Sequence, residues 1–203
     1  METTKIPVTV YAEMTPNPAT MKFVANRILV ENGAVVEYTD PEKANDSPLA
    51  AKIFNFPFVE EIFIAGNFIS VTKNDLVAWE DITLDLREYV LDYLSQGKPV
   101  FSEEPTLNNI HDSSQTITNE QQVLPQNEVE EKIIEIVEEY VRPAVEQDGG
   151  AIHFKAYKNG TLSVVLKGAC SGCPSSTVTL KSGIQQLFNR MLPEVKNVIA
   201  EEQ

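Results

Sequence analysis

Two cysteines, Cys170 and Cys173, are the residues whose type and spacing could do chemistry, and the 203-residue chain has no other cysteine. They lie together in the run Cys170-Ser171-Gly172-Cys173-Pro174. A CxxC pair can shuttle electrons as a dithiol, supply half of a zinc site, or supply half of an iron–sulfur cluster site. Two small buried side chains beside a turn, with no chemical role, are the remaining interpretation.

The number of available ligands points to a site shared between two chains. Structural zinc and iron–sulfur clusters usually take about four protein ligands, whereas one chain offers two sulfurs. Two histidines are present: His111 lies in a polar stretch, and His153 alternates with apolar neighbours as a solvent-facing strand residue would. Two chains that each contribute Cys170 and Cys173 would complete the set, which predicts a metal-bridged homodimer with a two-fold axis through the site. Ligand counting leaves zinc and iron–sulfur both open.

The elements around the cysteines predict a strand–loop–helix setting. Leu162, Val164 and Leu166 alternate as in a strand, and a helix is predicted from about Pro174 to Met191. The positive end of that helix would face the sulfurs and lower the pKa of each thiol. Residues 149–203 carry 3 acidic and 6 basic residues, which also favours thiolates.

The C-terminal part of the chain predicts the element order α-β-β-α-β. An amphipathic helix with Glu-rich and apolar faces runs from about residue 129 and is ended or kinked at Pro143. Asp148-Gly149-Gly150 breaks the pattern before a strand, and Lys158-Asn159-Gly160 supplies a hairpin turn to the next strand. The helix after the cysteines and a short last strand complete the unit. Its predicted apolar positions include Val178, Ile184, Leu187, Phe188 and Met191.

The N-terminal part predicts a second small unit of mixed helix and strand. A strand begins at Val8 and Val10, and another spans 21–25. Ser47 followed by Pro48 predicts the start of a short helix, and Gly66-Asn67 a hairpin turn. A long helix is expected from about residue 75 to 94, ended by Gly97.

The fold class predicted for the whole chain is therefore α+β, with two small domains joined by a flexible polar linker. The stretch between the two units is rich in Asn, Gln, Ser and Thr and has no sustained apolar period. The predicted boundaries are 1–98 for the first domain, 99–127 for the linker and 128–203 for the second domain.

Composition and charge exclude several functional classes. The formal net charge is −14 and the pI is about 4.5, which argues against nucleic acid and against anionic membranes as partners. No apolar run approaches the length of a membrane span, and no secretory or transit segment is recognisable at the start. Two closely spaced cysteines suit a reducing compartment, so a cytoplasmic location is expected.

The sequence from Asp148 to Gly183, DGGAIHFKAYKNGTLSVVLKGACSGCPSSTVTLKSG, resembles the NifU C-terminal domain, also called the Nfu domain. The agreement runs from the DGG turn through the CxxC loop into the following helix. The N-terminal part is similar to the domain often found ahead of it in Nfu proteins. This second resemblance is carried by TPNPATMKF at 15–23, SPLAAKIF at 47–54, IFIAGNFISVTK at 62–73 and Trp79.

The resemblance implies a scaffold or carrier of iron–sulfur clusters that is not an enzyme. In such proteins the cysteines that match Cys170 and Cys173 hold a [4Fe–4S] cluster between two protomers, and the cluster is passed to apo-proteins. A [2Fe–2S] form stays open. The implied partners are apo iron–sulfur proteins, the cluster assembly machinery and a second copy of the chain. A thiol–disulfide oxidoreductase and a zinc-bridged interaction module remain the alternatives.

Overall fold

Two separate units make up the computed structural model, which describes residues 7–31, 33–103, 105, 127–170 and 174–202. Each unit combines helices with its own β-sheet, so the predicted α+β class with two domains is confirmed. Most of the predicted linker, including His111, lies outside the described residues. The exact domain boundaries at 98/99 and 127/128 therefore stay a prediction.

The N-terminal unit is built on a five-stranded antiparallel sheet with the order β1-β2-β5-β4-β3. The hairpin predicted at Gly66-Asn67 is confirmed, because it joins β4 to β5 and Gly66 has a positive φ of 47°. A short strand, β3, was not predicted from the sequence, and all four of its residues are buried. The strands are β1 (Val10–Met14), β2 (Thr20–Ala25), β3 (Val35–Tyr38), β4 (Val59–Ala65) and β5 (Phe68–Lys73).

Two helices cover one face of this sheet. Helix α1 (Pro48–Ile53) begins as predicted, because the Ser47 hydroxyl accepts a hydrogen bond from the Ala50 N–H at 3.2 Å. The hydroxyl also donates to the Val100 carbonyl at 2.7 Å, which ties the start of α1 to the chain beyond the next helix. That helix, α2 (Trp79–Ser95), begins about four residues later than predicted.

The core of the N-terminal unit lies between the helices and alternate side chains of the strands. Phe23, Tyr38, Ile64 and Ile69 project from the sheet and are no more than 1% exposed. They contact buried side chains of both helices. Alternate residues of a strand share one face of the sheet, and residues three or four apart share one face of a helix, so one face of each element can enter the same core. The helical contributions are Leu49, Ala50 and Ile53 from α1, and Leu86, Val90, Tyr93 and Leu94 from α2.

The C-terminal unit begins with one long helix interrupted by a π turn. Helix α3 (Glu128–Ile136) passes through a π turn (Val137–Val141) into α4 (Arg142–Gln147). Asn127 caps its start by accepting from the Val129 and Glu130 amides. In the π turn the Arg142 N–H donates to the carbonyl of Val137, five residues earlier. The wider turn accommodates the proline at 143, which has no N–H and whose ring would crowd the preceding turn of an α-helix.

A three-stranded sheet with the order β6-β7-β8 follows this helix. Strands β6 (Gly150–Lys158) and β7 (Thr161–Gly168) form an antiparallel hairpin, and both turn residues, Asn159 and Gly160, have positive φ as a type I′ turn requires. Strand β8 (Asn197–Glu202) runs parallel to β7, so the chain must cross over between them. Helix α5 (Pro174–Met191) makes that crossover, and the predicted order α-β-β-α-β is confirmed.

The core of the C-terminal unit includes some, but not all, of the apolar positions predicted for α5. Ile184 and Phe188 of α5 are 2% and 0% exposed and pack with the strands and the first helix. Val178 and Met191, by contrast, are exposed, so these two apolar positions of the helix do not belong to the core. No helix in the described part of the chain is long and apolar enough to cross a bilayer.

Candidate functional site

The first cysteine of the CxxC pair, Cys170, lies in the turn that directly follows β7. Strand β7 ends at Gly168, whose positive φ of 65° redirects the chain, and α5 begins at Pro174. The predicted strand–loop–helix setting is therefore confirmed for Cys170. Cys173 lies outside the described residues, so its place in the site remains a prediction.

Two hydrogen bonds fix the backbone on either side of Cys170. The Ala169 N–H donates to the Gly149 carbonyl at 3.3 Å, and the Thr177 hydroxyl donates to the Cys170 carbonyl at 3.4 Å. The first bond joins the cysteine loop to the Asp148-Gly149-Gly150 turn, and the second joins it to the first turn of α5. The DGG sequence and Cys170, which are 20 residues apart, thus belong to one local structure.

The thiol of Cys170 packs directly against Gly150. A Cβ atom placed on Gly150 would lie 2.8 Å from the Cys170 Sγ and 2.5 Å from the Lys167 carbonyl oxygen, both closer than real Cβ contacts. Only glycine leaves room for the sulfur at this position. The Cys170 side chain is 4% exposed, so the sulfur lies at the edge of the apolar core.

Burial raises the pKa of the Cys170 thiol to about 12, and the nearby Asp148 carboxylate raises it further. The sequence predicted the opposite direction, from the positive end of α5 and the basic residues of this segment. That prediction was wrong for Cys170, because loss of hydration around the sulfur outweighs a helix terminus. With no metal bound, this side chain is a protonated thiol at neutral pH.

An apolar groove opens beside Cys170, between the first helix of the C-terminal unit and α5. Its floor is formed by buried residues that include Val141, Cys170 and Ile184. Asp148 is the acidic residue among the side chains that line it. We call it the Cys170 groove, and its walls in the C-terminal unit include Tyr140, Ala144, Thr179, Leu180, Gly183 and Leu187.

His153 is buried, which corrects the prediction that it faces solvent. Its side chain is 4% exposed, and it projects from β6 on the face opposite Ile152 and Phe154, which belong to the core. Neither ring nitrogen has a hydrogen-bond partner within the described residues. Burial lowers the pKa of His153 to about 4, and the positive charges of Arg142 and Lys167 act in the same direction. The apolar–polar alternation of β6 was recognised in the sequence, but it predicts an exposed second face, whereas the first five residues of this strand are buried on both faces.

The donors at this site fit a soft metal or an iron–sulfur cluster. A cysteine thiolate is the ligand that both zinc and iron–sulfur clusters accept, and Cys170 lies between a strand and a helix at the floor of the groove. Within the described residues no three His, Cys, Asp or Glu side chains converge on a common point.

Two family models match the chain, one for each unit. The model described as "Scaffold protein Nfu/NifU N terminal" matches residues 10–97, and the one described as "NifU-like domain" matches residues 133–199. The second match includes the DGG turn, the CxxC sequence and all of α5. Both matches agree with the resemblances found in the sequence.

Three curated proteins illustrate the relatives of this chain. A NifU-like protein of Schizosaccharomyces pombe is 36% identical over 93% of this chain and 70% of its own length. The mitochondrial NifU-like protein 5 of Arabidopsis thaliana is 34% identical over 93% of this chain and 66% of its own length. The mitochondrial NFU1 iron-sulfur cluster scaffold homolog of Homo sapiens is 32% identical over 91% of this chain and 68% of its own length.

The expected cytoplasmic location is contradicted by these relatives, because two of the three are named as mitochondrial. The expectation rested on the lack of a recognisable leader and on the spacing of two cysteines. Reducing conditions suit such a pair in more than one compartment, so neither observation identifies the cytoplasm.

Proposed function

Because this chain belongs to the NifU-like, or Nfu, family of iron–sulfur cluster scaffold proteins, we propose that it carries a [4Fe–4S] cluster and delivers it to apo-proteins. The cluster is cargo, and the protein is a carrier that performs no catalysis. Two copies of the chain hold it through Cys170 and Cys173 of each copy.

The observation that carries this proposal is the setting of Cys170 in a chain with two cysteines. The thiol lies where β7 passes into α5, and a second cysteine follows it three residues later. Four thiolate ligands for one cluster then require two chains. A structural zinc site within one chain would need further ligands from the same unit.

Cluster loading requires a change at Cys170. Its sulfur packs against Gly150 and carries a proton, whereas a ligand must be a thiolate that faces the metal. The side chain therefore turns away from Gly150 and loses its proton when iron binds. The positive charge of the iron centres stabilises the thiolate, which burial disfavours in the metal-free protein.

Delivery follows from the small number of ligands in each copy. A cluster held by two thiolates per protomer, in a loop between two copies, is accessible to thiolates of an incoming apo-protein. Exchange of one thiolate for another at iron needs no external oxidant or reductant. Separation of the two copies breaks the Fe–S bonds to one of them, and thiolates of the apo-protein replace first those two ligands and then the two of the remaining copy.

Anaerobic reconstitution with iron and sulfide tests this proposal. The wild-type protein is expected to gain the absorbance of an iron–sulfur cluster, to become a dimer, and to restore an apo iron–sulfur protein on mixing. The variants Cys170→Ser and Cys173→Ser are expected to remain folded and to retain no cluster. Ser171→Ala, which changes the same loop without removing a sulfur, is the matched control and is expected to load normally.

Two results would contradict the proposal and favour the alternatives. A monomer whose two thiols cycle reversibly between dithiol and disulfide, and which takes up no iron, indicates an oxidoreductase. A dimer that binds zinc and rejects iron and sulfide indicates a zinc-bridged interaction module.

A further inference from the structure

We propose that the Cys170 groove is the surface on which a second copy of this chain packs when the cluster is bound. The inference rests on the proposed function, because the cluster site is incomplete without that second copy. It adds the interface itself, and it assigns a role to residues that are not ligands.

Gly183 is the first reason to expect a partner in the groove. It lies in the interior of α5, where glycine destabilises a helix by about 1 kcal/mol relative to alanine. A Cβ atom added to Gly183 would meet no atom within 4 Å in the described part of the chain. Packing within the described part of one copy therefore gives no reason for the missing side chain. Its effect is to keep the wall of the groove low, so that another chain can approach α5 closely.

The groove also exposes apolar surface that a lone protomer leaves in water. Tyr140 on the π turn is 48% exposed, and Leu180 and Leu187 on α5 are partly exposed. An aromatic side chain beside an apolar cleft is a combination enriched at protein interfaces. Covering these three side chains would remove apolar area from water and stabilise the association.

The position of Cys170 in the groove indicates that the occupant is a second copy. Cys170 forms part of the floor, so a cluster bound to its sulfur lies at the groove. The thiolates of the second copy must bind the same cluster. The groove of that copy, which contains its own Cys170, therefore faces the groove of the first copy. A two-fold interface requires one patch that is complementary to itself. The exposed Tyr140 side chain could fill the open space at Gly183 of the other copy, and the reverse contact would form by symmetry.

Filling the groove tests this assignment without changing a ligand. Gly183→Leu places a side chain in open space on an exposed part of α5, so the fold is expected to be as stable as the wild type or more so. The loaded dimer of this variant is expected to dissociate at a concentration at least about tenfold higher than that of the wild type. Sedimentation of a dilution series, followed anaerobically at the cluster absorbance, measures this constant.

Ser182→Leu is the matched control, because it introduces the same side chain one residue earlier at an exposed position that does not line the groove. Its loaded dimer is expected to dissociate within about threefold of the wild type. Tyr140→Ala is a second variant, which removes the exposed aromatic side chain and is also expected to weaken the loaded dimer. Thermal unfolding of the metal-free proteins confirms that each variant is folded.

Distinct outcomes separate this inference from the proposed function. Suppose that the wild type loads and dimerises, and that the loaded dimers of Gly183→Leu and Tyr140→Ala have the same dissociation constant as the wild-type dimer. The second copy then does not occupy the groove. Variants that dimerise as the wild type does but deliver the cluster more slowly to an apo-protein also overturn the inference. That result would indicate that the apo-protein binds in the groove. A wild-type protein that takes up no cluster contradicts the proposed function and removes the inference with it.

Discussion

Gly150 and Gly183 lack a side chain for different physical reasons. At Gly150 a Cβ atom would overlap the Lys167 carbonyl oxygen and the Cys170 Sγ within the same chain. At Gly183 the space is empty in the described part of the chain, and helix propensity alone would favour alanine. The same substitution is therefore expected to have opposite effects on stability at the two positions.

Gly150→Ala is expected to lower the free energy of unfolding by about 1–3 kcal/mol, because a backbone carbonyl cannot move away as a flexible side chain can. Gly183→Ala is expected to raise it by up to about 1 kcal/mol. Urea unfolding of the two variants beside the wild type measures both changes. Equal stability of Gly150→Ala and the wild type would show that the Lys167 carbonyl and the Cys170 sulfur do not crowd this position.

His153 predicts how stability depends on pH. Its pKa is lowered from 6.5 to about 4 in the folded protein, so between these values the unfolded chain binds a proton that the folded chain does not. The free energy of unfolding is therefore expected to be greatest above about pH 6.5 and to fall, by up to about 3 kcal/mol, as the pH falls to about 4.

The variant His153→Phe separates this effect from the titration of carboxylates. Because the ring nitrogens have no partner within the described residues, the variant loses no hydrogen bond there. Its stability is expected to fall less steeply over the same pH range, as measured by urea unfolding at a series of pH values. Identical slopes for the variant and the wild type would contradict the lowered pKa.

Among the secondary-structure elements, the π turn at Val137–Val141 connects the start of the C-terminal unit to the site. It carries Tyr140 and Val141, which line the Cys170 groove. Arg142 forms a two-pronged ion pair with Glu138 across this turn, with N–O distances of 2.5 Å. The Arg142 side chain is 12% exposed, so the pair is shielded from water more than most surface pairs.

Glu138→Gln is expected to lower the free energy of unfolding by about 1 kcal/mol, because it leaves the largely buried Arg142 guanidinium without its carboxylate. Glu135→Gln makes the same change of charge at an exposed position of α3 and is the control, with an expected change within about 0.5 kcal/mol. Chemical unfolding measures both. Equal losses in the two variants would mean that the ion pair does not stabilise the π turn.

At the scale of the whole molecule, the features that come from short stretches of chain were predictable from the sequence. Ser47 before Pro48 fixed the start of α1, and Asn159-Gly160 fixed the β6–β7 hairpin, because backbone conformation at these positions depends on the residues themselves. The CxxC pair between a strand and a helix was found for the same reason. The start of α2 was placed too early, since the Asn74 side chain accepts from the Leu76 N–H and holds a non-helical turn there.

The features that depend on distant residues were not predictable. Strand β3 has four residues, and only its pairing with β4 makes it a strand. The burial of His153 and the contact between Gly150 and Cys170 arise when the sheet forms, so no local pattern reports them. The thiol pKa was predicted in the wrong direction because the sequence shows nearby charges and helix ends but not the loss of water around the sulfur.

The central claim is that two chains share one cluster through Cys170 and Cys173. Native mass spectrometry of the anaerobically reconstituted wild-type protein tests it most directly, because it counts chains, iron and sulfide in one particle. The expected species contains two chains with about four iron and four sulfide ions, and it is absent from Cys170→Ser and Cys173→Ser. A cluster held by a single chain, or a loaded dimer that persists without either cysteine, would contradict the account.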